Sequence, residues 1–308
     1  MSFVSPLRYP GGKGKLANYI KLIFSYNDLL DGHYVEPYAG GAAVALTLLY
    51  SEYATHIHIN DVSKPLFALW YSILNDTDEF CALIQDTKIS IDEWHRQKSI
   101  QEQFDQVSLL ELGFSTFFLN RTNRSGILRG GVIGGKKQEG IFKLSARYNK
   151  TNLLQRIKRV ALYKDRISLY NDDAEKFIKS INTQLPERTL YYFDPPYYIK
   201  GKGLYEDFYE HQDHLNIFTM IDNLKHKWIV SYDKTKEIQD MYKDYQQVTY
   251  SLSYSTAEHY KGNEVMFFSD NLIVPPIKVF TKISSNAITN ILQRDSVVEK
   301  ATQPPHEG

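Results

Sequence analysis

The sequence predicts an α/β protein whose single sheet is interrupted by an inserted block. Strand, turn and helix units recur near both ends of the chain, while polar helices and a Gly-rich basic stretch separate the two sets. A chain of 308 residues can hold one large domain with an insertion. An apolar fraction of 43% and a charged fraction of 23% exclude a disordered or fibrous class. The formal net charge is zero, so affinity for a polyanion has to come from local clusters. Cys81 is the only cysteine, which rules out an intramolecular disulfide and a Cys-based zinc site and points to a reducing compartment; no metal ligands are assigned. No apolar run is long enough to cross a bilayer, and the N-terminus lacks a signal pattern, so a cytoplasmic location without a membrane partner is expected.

The first strand is read at Tyr34, Val35 and Glu36, leading through a glycine turn into a buried helix over 42–49. A second strand over 56–60 ends at Asp61, before a helical segment over 65–70. Polar helices follow from about residue 76, then an apolar run over 113–119 and a basic, Gly-rich segment over 120–150. The β-α rhythm resumes at 166–170, 189–193 and 227–231, with a last strand over 264–268. The final residues, 301–308, have the composition of a disordered end.

In open α/β sheets, ligands settle at the C-terminal strand ends, where glycines let backbone approach them. Glu36, Pro37, Tyr38, Ala39, Gly40 and Gly41 form such a turn, and Asp61 closes the next strand, where an acid commonly accepts ribose hydroxyls. Gly-Gly before a helix is also an ordinary tight turn; the acid at the second strand end favours the cofactor reading. The pattern Gly-x-Gly-x-x-Gly is absent, so an adenosyl cofactor fits better than a dinucleotide. A second glycine turn, Arg8 to Lys13, is not a P-loop; it is read as folding over the cofactor, with Tyr9 packing near it and Lys13 satisfying a carboxylate.

Asp194, Pro195, Pro196 and Tyr197 follow a strongly apolar strand. Two prolines at a strand exit fix an extended turn and leave carbonyls without competing N–H partners. The exocyclic amine of a base is a poor nucleophile because its lone pair is delocalised. The Asp194 carboxylate and the Pro195 carbonyl, accepting from its two N–H groups, would pyramidalise the nitrogen and steady the charge that develops on it. Tyr197 would stack on the base.

Four segments in this order, Pro6 to Lys13, Glu36 to Gly41, Phe117 to Thr122 and Asp194 to Tyr197, resemble the Dam-like adenine-specific DNA methyltransferases over roughly residues 6–270. The resemblance implies a Rossmann-like methyltransferase sheet, mostly parallel with an antiparallel strand near the C-terminus, plus an inserted helical and loop target-recognition domain. It implies transfer of a methyl group from S-adenosylmethionine, with S-adenosylhomocysteine as product, to adenine N6 in duplex DNA after base flipping. Cofactor contacts are expected from Tyr9, Lys13, Glu36, Tyr38, Gly40, Asp61 and Asp194. Residues 1–75 and 166–280 become the cofactor-binding and catalytic parts, 76–165 the recognition domain, and 281–308 a tail disordered at its end. Ala42 departs from the family, many of whose members carry a further glycine there.

Between 121 and 166 stand thirteen Lys or Arg against Glu139 and Asp165, the signature of a phosphate-binding face rather than a solvated helix of alternating charge. Arg121, Arg124, Ser125, Arg129, Lys136, Lys137 and Arg147 are the expected DNA contacts. Arg129 matches a base-reading arginine of the family, and its fork suits guanine O6 and N7. Arg124 and Ser125 replace an aromatic and an asparagine found in the GATC-specific members, so the resemblance leaves the recognition sequence open and GATC in doubt. The loop over 200–209 could close over a flipped base or simply connect two elements. A cognate restriction endonuclease acting separately is a further expected partner, in a prokaryotic or phage setting. The competing readings are methylation of cytosine N4, RNA adenine or a glutamine amide, and a DNA-binding relative without activity.

Overall fold

A computed structural model describes residues 4–8, 13–199, 209–253, 261–277, 283–284 and 286–293. In chain order the elements are α1 (Ala17–Tyr26), β1 (Gly32–Glu36), α2 (Ala43–Tyr50), β2 (Ala54–Asn60) and α3 (Lys64–Asn75), then α4 (Thr77–Asp86), α5 (Ile91–Glu102), α6 (Leu109–Thr122) and α7 (Lys150–Ala161). After these come β3 (Ile167–Tyr170), α8 (Ala174–Ile181), β4 (Thr189–Phe193), α9 (His211–Asp222), β5 (Lys227–Asp233), α10 (Lys236–Met241), β6 (Gln246–Ser253) and β7 (Lys261–Phe268).

The seven strands lie in the order β3-β2-β1-β4-β5-β7-β6. The first five pair in parallel, while β7 runs antiparallel to both β5 and β6. The chain moves outward from β1 to β3 and then returns to place β4 on the other side of β1. The order therefore reverses between β1 and β4, and their C-terminal ends, Glu36 and Phe193, flank the resulting crevice.

Strand side chains alternate between two cores. Tyr34, Ile57, Ile59, Leu190 and Tyr192 join α1, α2 and α3 on one face, while Val35, Tyr191, Phe193 and Val230 meet α8 and α9 on the other. Burial on both faces is why these strands read as apolar runs. On β1 and β2, His33, His56 and His58 form a cluster with ring centroids 4.8 to 5.3 Å apart. Burial lowers all three below the usual imidazole range, His58 to about 3.

Helices α4, α6 and α7 share the first core instead of building their own. Phe80, Phe114, Phe117, Leu153 and Ile157 lie in one cluster with Trp70, Ile73 and Leu49. Helix α6 begins with a capping box between Ser108 and Glu111 and crosses α3 at Gly113. A Cβ there would stand 2.5 Å from the Ala68 carbonyl oxygen and 2.6 Å from Ser72 Oγ. Beyond the sheet, Ile283 and Ile288 are buried in the same core, and Asn18 Nδ2 donates to the Ile283 carbonyl at 2.6 Å. Residues 301–308 lie outside the described residues.

Gly113→Ala is expected to push α6 off α3 and cost about 1–3 kcal/mol, read as a lower midpoint in chemical denaturation. The histidines generate a pH signature. Their folded-state pKa values lie below that of a free imidazole, so the unfolded chain protonates first and stability is lost as pH falls below about 6.5. The melting temperature of His58→Gln should therefore fall less between pH 7 and pH 5 than that of the parent; equal slopes would remove His58 from the effect.

Candidate active site

The turn after β1 is held from three sides. Glu36 is buried, and its Oε1 accepts from Tyr34 Oη at 3.0 Å and from the Ala45 amide in the first turn of α2 at 3.2 Å. Burial is the largest influence on this carboxyl and raises it to about 8. Trp70 Nε1 donates to the Gly40 carbonyl at 3.0 Å. Asp61 Oδ2 accepts from the Gly40 amide at 2.9 Å, and its Oδ1 from the Ser63 amide at 3.0 Å. Asn60 ties the neighbouring strand ends together, donating to Pro37 and Asp172 carbonyls and accepting from the Asp172 amide. Both Gly40 and Ala42 have positive φ, +47° and +46°. A left-handed alanine costs about 1 kcal/mol, which explains a glycine at the position of Ala42 in the resembling family.

The exit of β4 meets a buried lysine. Lys13 opens the 3-10 turn Lys13–Leu16 and is 5% exposed. Its Nζ lies 2.9 Å from Asp194 Oδ1, 3.7 Å from Glu264 Oε2 and 2.5 Å from Tyr197 Oη. Tyr197 Oη donates to Glu264 Oε1 at 2.5 Å, and Tyr250 Oη to Glu264 Oε2 at 2.7 Å. Burial raises the Glu264 carboxyl, and Lys13 pulls it back. Ser231 Oγ donates to Asp194 Oδ1 at 2.9 Å. Asp194 Oδ2 and the Pro195 carbonyl accept no hydrogen bond among the described residues. Asp233, 3% exposed, accepts the Tyr198 amide at 2.9 Å and the Ile199 amide at 3.1 Å, fixing the chain just past the turn.

The structure thus gathers Lys13, Glu36, Gly40, Asp61, Asp194, Pro195, Pro196 and Tyr197 around the β1/β4 crevice. Tyr38 lies to one side, lining a cavity of about 240 Å³ with Asp173, Tyr209 and Ile217. Tyr9 and residues 200–208 lie outside the described residues. Tyr197 differs from expectation: it is 4% exposed and its hydroxyl is held by Lys13 and Glu264, so in this arrangement little ring surface is open for stacking.

The chain matches the model of the D12 class N6 adenine-specific DNA methyltransferases over residues 9–256. It belongs to that family. It is also 25% identical over 210 residues to the Type II methyltransferase M.MjaIII of Methanocaldococcus jannaschii, a span covering 62% of this chain and 68% of the relative. The protein is an adenine-specific DNA methyltransferase, and DNA is its substrate. The sheet order places the methyltransferase's Asp-Pro-Pro-Tyr turn beside its glycine turn, which the chain order alone does not require.

The residues assigned to DNA lie on and beside a hairpin-like loop, closed by a bridge between Asn123 and Val132. Arg124, Arg129, Lys136, Lys137 and Arg147 are exposed and Ser125 is half-buried with φ +56°. Arg121, among the expected DNA contacts, is 8% exposed, and its Nε donates to the Arg147 carbonyl at 2.9 Å. Burial, then the nearby Arg8, lowers its guanidinium to about 9. Asn120 braces this loop against the N-terminal segment, accepting from the Arg8 amide and donating to the Arg8 and Gly126 carbonyls.

Sequence reasoning missed Ser231, Asp233, Glu264, Tyr250 and Asn60. A signal existed for two of them, since Ser231 and Asp233 are alternate polar positions in an otherwise apolar strand end. Asp233 acts on the turn, not on the reacting atoms. Asp233→Ala should lower the methylation rate roughly tenfold, with Asp233→Asn recovering part of the loss, because the half-buried turn loses two hydrogen bonds to a charged acceptor, each worth about 1.5–3 kcal/mol. A full parent rate in Asp233→Ala would remove it from positioning the turn.

Proposed function

We propose that the methyl donor is S-adenosylmethionine and that the target is an adenine turned out of a DNA duplex. The observation that carries this reading is the pair of acceptors, Asp194 Oδ2 and the Pro195 carbonyl, left without partners among the described residues beside the glycine turn.

The residues present fit the donor. Asp61 stands at the end of β2 for ribose hydroxyls. Gly40 presents backbone to the ligand without a side chain, and α2 points its N-terminus toward the same turn. Lys13 is the cation for a carboxylate, and the Asp194 carboxylate is the counterpart for an ammonium, while Glu36, whose carboxyl burial raises to about 8, holds the turn as a hydrogen-bond partner. When bound, S-adenosylmethionine supplies an electrophilic sulfonium methyl and leaves as S-adenosylhomocysteine.

The protein's own part is positioning and charge. Asp194 Oδ2 and the Pro195 carbonyl accept the two N–H groups of the adenine amine and orient its lone pair. The charge that develops on nitrogen falls beside Asp194, and Oδ2 is placed to take the proton that the amine must lose. Ser231 and Lys13 hold Oδ1, so the carboxylate cannot rotate away. A base inside a duplex cannot reach this turn, hence the flipped adenine. The exposed arginines and lysines between α6 and α7 supply the phosphate contacts, with Arg129 as the base reader, a reading supported by its exposure beside the 123–132 hairpin. The Type II methyltransferase relative favours a setting with a restriction endonuclease that acts separately.

Asp194→Ala should reduce transfer of tritiated methyl groups to DNA by at least about a thousandfold relative to the parent, since the residue provides orientation, charge stabilisation and a proton acceptor together. Mapping modified adenines on a plasmid by sequencing gives the site and checks the substrate. Undiminished transfer in Asp194→Ala, or methyl groups on cytosine alone, would overturn the assignment.

A further inference from the structure

Ile141 is 95% exposed and its neighbour Phe142 is 64% exposed; they are the only consecutive pair of large exposed apolar residues among those described. The loop that displays them is firmly built. Gln138, at φ +55°, donates through Nε2 to the Ile133 carbonyl at 2.7 Å and the Gly135 carbonyl at 2.6 Å, and accepts from the Leu144 amide at 2.8 Å. Lys143 Nζ donates to the Gln138 carbonyl, and the Gly140 amide to the Gly134 carbonyl. Val132 and Leu144, at the two feet of the loop, are buried in the main core. The fold therefore forgoes the burial of two large apolar side chains while fixing the frame that carries them.

The surroundings of the pair are cationic. Lys136 and Lys137 precede it and Lys143 and Arg147 follow it, all exposed, with Glu139 as the single nearby acid in sequence. Apolar side chains framed by cations suit a polyanion with an apolar interior, which describes a base stack between phosphate backbones. The loop continues directly from the 123–132 hairpin, with the Ile133 amide bonded to the Thr122 carbonyl. Asn120, near the end of α6, grips the Arg8 backbone, five residues before Lys13. The pair thus adjoins the hairpin proposed to contact the DNA.

We propose that Ile141 and Phe142 form the wedge that opens the duplex, Phe142 entering the base column at the step that the target adenine leaves. This rests on the reading that the adenine is flipped from a duplex. Unstacking a step costs a few kcal/mol, and an inserted ring restores part of the stacking that the departing base gives up.

The test uses the full chain and a duplex carrying its mapped site in two forms: the target adenine opposite thymine, and opposite an abasic position where the pair is already broken. Single-turnover methylation by Phe142→Ala should fall at least about tenfold on the paired duplex, yet stay within about threefold of the parent on the abasic one. Phe142→Leu should lie between, and the melting temperature should not move, because the side chain is exposed. A parent-like rate on the paired duplex, or an equal loss on both, overturns the wedge while leaving adenine methylation standing. Retained methylation with lost binding to anionic phosphatidylserine vesicles would assign the pair to a lipid surface instead. A parent that methylates neither duplex would overturn the flipped-adenine reading, and the wedge with it.

Discussion

One buried ammonium holds the active centre together. Lys13 is nearly without solvent, and it reaches carboxylates from two remote parts of the chain, Asp194 at the exit of β4 and Glu264 on β7. Burying an ion costs several kcal/mol unless neighbours compensate it. The N-terminal turn, the catalytic turn and the antiparallel strand are therefore stable together in a way that none would be alone. Tyr197 and Tyr250 complete the arrangement by donating to Glu264, so both of its oxygens are engaged. Against the Lys13 ammonium the crevice sets the carboxyl groups of Asp194 and Glu264, with Glu36 beside them raised to about 8 by its burial.

The same crevice shows what a sequence can and cannot reveal. The five parallel strands were legible because burial on both faces leaves continuous apolar runs, and the glycine and Asp-Pro-Pro-Tyr turns because their backbone demands leave few residue choices. Glu264 was not legible as a site residue. It sits at the head of the apolar run Val265 to Phe268, and only the pairing of β7 with β5 brings it to the turn. Arg121 and Tyr197 were legible by type but their burial was not, since a motif specifies which side chain is present and packing decides which way it faces. The change of pattern near residue 76 marks the insertion, but α6 packs on α3 so closely that the change of pattern is not a change of core.

Ala42 illustrates a local cost set against a local gain. Its left-handed backbone is unfavourable for a residue with a Cβ, and its own side chain offers the helix no cap. Glu36 supplies the missing acceptor from the preceding strand, and Trp70 fixes the carbonyl of Gly40 two residues before. The turn keeps its shape through these long-range bonds, where a glycine would have kept it through backbone freedom alone.

Continuity of the core bears on how DNA recognition reaches the chemistry. If the inserted block had its own core, its face could shift relative to the sheet whenever DNA bound. Instead, α6 is buried against α3, whose Trp70 holds the Gly40 turn. The end of α6 also carries Asn120, which clasps the Arg8 backbone through both its donor and its acceptor, five residues before Lys13. Two separate routes therefore link the loop after α6 to the two halves of the crevice. The lysine, the carboxylate and the glycine turn of the crevice are therefore held in register with the loop by the packing of the fold itself.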